Sequence, residues 1–242
     1  MMKMNLVRSL FLVVPFLSAV PAHASTLFGG SGGFTNTLTI TTAGGSLVFQ
    51  TNQGAFSGSV NNQGWWSAAD GHSVGNDNYY VSNEVGSEYN NYFTFLLTGF
   101  DGGALSATLS IDTSESSGSD LPTIYSLFDV STAAASLNDS GPDSAIFDDL
   151  SSGKLYAALI VSSYPSPTMS LTLNADALGD INAAGGGYFS IGGTLAPSES
   201  ATPEPGTISL LAAGLLAVVM ARASRRRMGM WKVPTGGCER GV

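Results

Sequence analysis

Between Leu105 and Ile111 apolar and hydroxyl side chains take turns. Leu105, Ala107, Leu109 and Ile111 fall on one parity, and Ser106, Thr108 and Ser110 on the other. A helix repeats every 3.6 residues and cannot collect such a set on one side, so the stretch is expected to be a strand with one buried face. The pattern recurs. Residues 91–98 place Phe93, Phe95 and Leu97 on one face, 123–130 place Ile124, Phe128 and Val130 together, and 154–161 align Leu155, Ala157, Leu159 and Val161. Residues 168–173 align Met169, Leu171 and Leu173, and a last strand is expected over 188–195. Asn174 suits the N-cap of one short helix, 175–184, which Gly185-Gly186-Gly187 would end.

Upstream, residues 25–87 are rich in Gly, Asn, Ser, Thr and Gln. Leu38 with Ile40 and Leu47 with Phe49 suggest small strands between Gly29-Gly30, Gly32-Gly33 and Gly44-Gly45 turns. Many short strands separated by turn signals predict an all-β body over 25–195, an antiparallel jelly-roll-like sandwich with one short helix. About 170 residues suffice for a single core.

Charge narrows what that body can touch. From Ser25 to Pro205 only Lys154 is basic, against seventeen Asp and Glu, which leaves a formal −16. A nucleic-acid partner would need a basic stripe and is excluded. The lone cysteine, Cys238, lies near the far end, and His72 is the one histidine between Ser25 and Pro205. A thiol nucleophile and a multi-histidine zinc site in the body are therefore excluded as well.

The two ends read differently from the middle. Lys3 and Arg8 precede an apolar run, Ser9 to Val20, and Ala22-His23-Ala24 offers a small-x-small cleavage site before Ser25. Residues 1–24 are expected to be a signal peptide. At the other end 196–202 reads as a linker, followed by Pro203-Glu204-Pro205-Gly206, an uncharged apolar run, and Arg222, Arg225, Arg226 and Arg227. The prolines interrupt any helix or ladder before the run. Sixteen uncharged residues from Gly206 as a helix span about 24 Å, and residues 206–223 can reach across a bilayer core of about 30 Å if Arg222 snorkels. The arginines belong on the cytoplasmic side, leaving the body outside.

This three-part tail, 203–227, resembles the PEP-CTERM sorting signal of Gram-negative bacteria. The resemblance implies a substrate of exosortase, a membrane protease-transpeptidase, with the tail as a temporary inner-membrane anchor and the body delivered to the cell surface or beyond. Family members usually stop soon after the arginines, whereas this chain runs on through Met228 to Val242, expected to be a cytoplasmic extension. Residues 92–195 also resemble a recurrent body of such proteins, through Phe93-Thr94-Phe95, Phe128-Asp129-Val130-Ser131-Thr132, Asp149-Leu150-Ser151-Ser152-Gly153 and Phe189-Ser190-Ile191-Gly192-Gly193. No catalytic residue comes with that likeness.

Three sets of side chains could carry function. Trp65, Trp66, Tyr79 and Tyr80 interrupt a polar background, either as packing or as an aromatic platform for sugar. Asp139, Asp143, Asp148 and Asp149 lie within eleven positions and offer the oxygens calcium wants, although no EF-hand spacing is present and turn chemistry accounts for the same residues. A second polar cluster, Asp70-Gly71-His72 with Asn76-Asp77-Asn78, reads as a turn, with His72 at a turn or on the surface. The expectation is a non-catalytic, acidic surface or matrix protein without a required cofactor, associated with exopolysaccharide or biofilm. A secreted glycosidase is the alternative, its acid pair unidentified among carboxylates such as Glu84, Glu88 and Glu115.

Overall fold

The computed structural model describes residues 25–28, 35–76, 78–84, 87–114, 117–118, 122–161 and 167–197. The chain divides into two units, 1–198 and 199–242, and the described residues all belong to the first. The expected signal peptide 1–24, most of the linker, the tail 203–227 with its span 206–223, and the extension 228–242 lie outside them, as do Asp77 and Glu115. Among the described residues no helix is long and apolar enough to cross a membrane.

Among the described residues twelve strands and three short helices follow in order: β1 (Ser25–Phe28), β2 (Thr37–Thr42), β3 (Gly45–Gln50), β4 (Gln63–Ser67), β5 (Tyr80–Glu84), β6 (Ser87–Leu96), β7 (Ser106–Asp112), β8 (Ser117–Gly118) and β9 (Thr123–Asp129). Then come α1 (Ala134–Leu137), α2 (Ser144–Asp149), β10 (Leu155–Val161), β11 (Thr168–Thr172), α3 (Ala175–Ala184) and β12 (Tyr188–Pro197). One sheet of eight strands runs β10-β9-β12-β6-β5-β1-β8 with β4 also on β6, and a second of four runs β11-β7-β2-β3. Every pairing is antiparallel. The two sheets share one core. Leu38, Ile40, Leu109, Ile111 and Leu171 from the smaller sheet pack with Val81, Phe93, Phe95, Leu127 and Ile191 from the larger. This is an all-β sandwich, unequal in its two layers.

The alternation at 107–111 does what its period predicts, since Ala107, Leu109 and Ile111 are buried and their neighbours are not, although Leu105 lies just before β7 and is 65% exposed. Helix α3 forms over the expected span, with Asn174 accepting from the Ala177 amide at 3.1 Å and Gly185 just past its end. Ala177 and Ile181 sink into the core as α3 carries the chain from the edge of the small sheet to the middle of the large one.

Three expectations need correction, and one strand was not foreseen. In β9 the buried face is Thr123, Tyr125 and Leu127, and Ile124 and Phe128 lie on the half-exposed one. In β10 a bulge between Leu155 and Ala157 turns Tyr156 inward and leaves Leu155 45% exposed, so the four-residue alignment is broken at its first member. Among the described residues there are three helices where one was expected, because α1 and α2 form in the loop expected to be acidic turns. The segment 63–67, without alternation, is a strand, because both its faces are covered.

That double cover is the main departure from a two-layer plan. Strand β6 meets β12 along one edge and β4 along the other, at Asn91, Tyr92 and Phe93. Phe93 and Phe95 face the sandwich core, while Tyr92 joins Trp66, Leu137, Ile146 and Leu150 in a separate cluster roofed by α1 and α2. Gly192 and Gly193 of β12 make close approaches possible here: a Cβ on the first would lie 2.4 Å from the Leu150 carbonyl oxygen, and on the second 2.5 Å from both Asn91 Oδ1 and the Tyr125 hydroxyl.

Candidate functional site

Adjacent residues of a strand point to opposite faces, and this divides the aromatic pair at 65 and 66. Trp66 goes into the cluster under the helices, 2% exposed, where its indole N–H donates to the Leu137 carbonyl at 3.1 Å. Tyr79 is likewise core, its ring 5.2 Å from Phe93 and its hydroxyl donating to the Asp112 carbonyl at 2.6 Å. These two of the four sugar-platform residues are packing. Trp65 and Tyr80 remain half-exposed, and they meet a third ring that sequence reasoning missed, Tyr89.

The strand register brings the three together. Tyr89 of β6 stands opposite Ser67 of β4 and Ser82 of β5, and Trp65 and Tyr80 each lie two residues along from those partners. Diagonal neighbours on one face are within reach of aromatic side chains. The rings pack edge-to-face, Trp65 on Tyr89 at 5.1 Å and 87°, Tyr80 on Tyr89 at 4.8 Å and 73°. With Asn76 and Asn78 they line a cleft of about 240 Å³. Among the described residues its lining holds no charged side chain. Asn78 is buried in the wall, and among the described residues its side-chain oxygen has no hydrogen-bond partner.

Behind the cleft His72 fixes the strand that carries Trp65. Its Nδ1 lies 2.7 Å from the Trp65 carbonyl, and since a carbonyl only accepts, Nδ1 carries the proton. Nε2 faces the Tyr92 hydroxyl at 3.4 Å, which donates to Asn138 Oδ1 at 3.1 Å; Asn138 in turn donates to the Ala134 carbonyl. The backbones of His72 and Gly141 exchange two hydrogen bonds. His72 is thus a buried structural residue, 5% exposed, rather than a turn or surface one. Burial pushes its pKa below 6.5, against the smaller upward pull of the Trp65 carbonyl. Gly64 leaves room for this pair, because a Cβ there would come within 2.8 Å of the Tyr92 ring and hydroxyl.

The four aspartates do not converge. Asp143 caps α2, accepting from the Ala145 and Ile146 amides. Asp149 accepts from the amides and hydroxyls of both Ser131 and Thr132 at 2.7–3.0 Å, tying α2 to the loop before α1. Partial burial works to raise its pKa, and the hydrogen bonds from Thr132 and Ser131 outweigh that and hold it below the ordinary carboxylate value. Asp139 and Asp148 are exposed. Among the described residues no three Asp, Glu, His or Cys side chains gather closely enough to hold a metal ion.

A second cleft, about 380 Å³, is charged. It is lined by Asp129, Lys154, Tyr156 and Asp180 with Tyr188 and Phe189. Lys154 Nζ lies 2.9 Å from each oxygen of Asp180, which also accepts from the Tyr156 hydroxyl at 2.8 Å. Burial would raise the Asp180 carboxyl, but Lys154 and Tyr156 hold it below its ordinary range. Asp129 accepts from the Lys154 amide. Asp180 is therefore not set up to be a protonated acid. Of the carboxylates singled out in the sequence, Glu88 is exposed.

Comparison with known proteins bears on the tail. Residues 201–227 match the family model described as the PEP-CTERM protein-sorting motif. No curated protein and no solved structure matches the chain. The motif implies export and a C-terminal signal read by exosortase at the membrane. By residues 201–227, this chain carries the PEP-CTERM protein-sorting motif.

Proposed function

We propose that this is an exported, exosortase-sorted extracellular protein whose sandwich is a non-catalytic glycan-binding module, retained in exopolysaccharide or biofilm matrix. The observation that carries the proposal is the cleft of Trp65, Tyr80 and Tyr89 with Asn76 and Asn78. A sugar ring offers an apolar face of C–H groups and a rim of hydroxyls. Aromatic faces suit the first, and amides, which both donate and accept, suit the second. The tail fits the same role, because it delivers the cleft to the compartment where such polymers lie.

Hydrolysis makes different demands. A glycosidase sets two carboxyl groups across the scissile bond, about 5–9.5 Å apart, one with a raised pKa. Among the described residues the aromatic cleft has no carboxylate in its lining, and Asp180 in the charged cleft is shifted the other way.

Retention of the purified protein on immobilised polysaccharides, with reducing ends assayed in parallel, tests the reading. Wild type should be retarded without releasing sugar, and Trp65→Ala and Tyr89→Ala should each lose roughly tenfold in affinity, the equivalent of about 1.4 kcal/mol for one ring. Turnover abolished by a single Asp or Glu substitution would replace this reading with the enzymatic one.

A further inference from the structure

Resting on the glycan reading above, we propose that the cleft selects uncharged polysaccharide over polyuronate or sulfated chains, and that Asn78 is its specificity-determining hydrogen-bonding group.

The first argument is the balance of charge around the cleft. An anionic sugar is normally held by Lys or Arg, and among the described residues none lines this cleft. The only basic residue between Ser25 and Pro205, Lys154, is engaged by both oxygens of Asp180 and belongs to the other cleft. Seventeen carboxylates spread over the same span give any approaching polyanion a repulsive field. A neutral chain pays no such penalty, and its binding should be indifferent to salt.

The second argument is independent of charge. Asn78 is 7% exposed, lies in the cleft wall, and keeps a side-chain oxygen without a partner among the described residues. A buried acceptor left unpaired is a standing cost to the fold, and Ala at this position would remove it. Such a cost is tolerated where the group is used. The terminal torsion of Asn is broad, so a modest turn presents the amide to the cleft, where a ligand hydroxyl can donate to its oxygen and accept from its nitrogen. Beside three rings, that amide gives the cleft directional recognition of an uncharged hydroxyl.

The test uses the purified protein with a soluble neutral β-glucan, alginate, and alginate whose carboxyl groups have been chemically reduced, each titrated at low and at physiological salt. The glucan or the reduced alginate should bind at least tenfold more tightly than alginate, with affinity unchanged by salt. Asn78→Ala should lose about tenfold on the neutral chain while its denaturation midpoint stays level or rises, a combination that a merely structural role would not give. Equal or tighter binding of native alginate, or Asn78→Ala binding as wild type, overturns the inference and leaves glycan binding standing. No binding to any of the three polymers removes the glycan reading itself, and this inference with it.

Discussion

Replacing Trp66 by Ala should damage the fold far more than the same change at Trp65, one residue away. Trp66 is 2% exposed and fills the cluster between β6 and the two short helices, touching the group formed by Tyr92, Leu137, Ile146 and Leu150. A buried aromatic of about 150–250 Å² at roughly 25 cal/mol per Å² contributes about 4–6 kcal/mol, and measured Trp-to-Ala losses in cores run about 3–5. The change also deprives the Leu137 carbonyl of its indole donor. A loss of about 4 kcal/mol, against a total stability of about 5–15 kcal/mol, is large. With a urea dependence of about 2 kcal/mol per M, the midpoint should fall by about 2 M. Trp65, half-exposed at the cleft, should shift it by well under half as much while losing glycan affinity. Equilibrium urea unfolding followed by far-UV circular dichroism reads both. A Trp66→Ala midpoint within about 0.5 M of wild type would refute the claim that α1 and α2 are held by a core of their own.

Other consequences follow from single residues. His72 has a folded pKa below 6.5, so acid is taken up by the unfolded chain first; stability should be full above that pH and decline as pH falls below it, and His72→Gln, though less stable, should lack this decline in urea titrations from pH 7.5 to 5. Asp149 titrates in a lower window: its hydrogen bonds stabilise the fold above the ordinary carboxylate value and are lost as pH falls through the depressed one. Asp149→Asn should therefore cost about 1–2 kcal/mol at pH 7, a difference that calorimetry should find vanishing towards pH 2. Gly193→Ala puts a methyl 2.5 Å from Asn91 Oδ1 and the Tyr125 hydroxyl, both buried, and should cost about 1–3 kcal/mol by thermal denaturation.

What the sequence made legible is what depends on one face being wet. The alternation at 107–111 and 168–173 survives because β7 and β11 have a dry side and an exposed side. Strand β4 was hidden for the opposite reason: Gln63-Gly64-Trp65-Trp66-Ser67 is covered on both faces, and a doubly covered strand need not alternate. The covering helices were hidden too, since α1 has four residues and α2 six, too short for a 3.6-residue period to register. Asp143 was the available signal. An Asp just ahead of Ser-Ala-Ile-Phe can be an N-cap as readily as a cation ligand, and here it is the cap. The site was half legible. Sequence picked out Trp65 and Tyr80, but their separation from Trp66 and Tyr79 requires knowing where the strands begin, and Tyr89 joins them through pairing across three strands. Asn78 reads from the sequence only as part of a polar turn, because an unpartnered oxygen is a property of the packed chain.

Export followed by tail removal is the claim on which the rest depends, since a cleft for extracellular polymer is useless on the wrong side of a membrane. The intact mass of the protein from a native host, separated into membrane and extracellular pools, tests it most directly. The account predicts an extracellular species that begins at Ser25 and ends between Pro203 and Gly206, and that Glu204→Gln shifts the protein into a membrane-bound form retaining the arginines. A wild-type protein found only in the membrane, still carrying Arg225 to Val242, would contradict it.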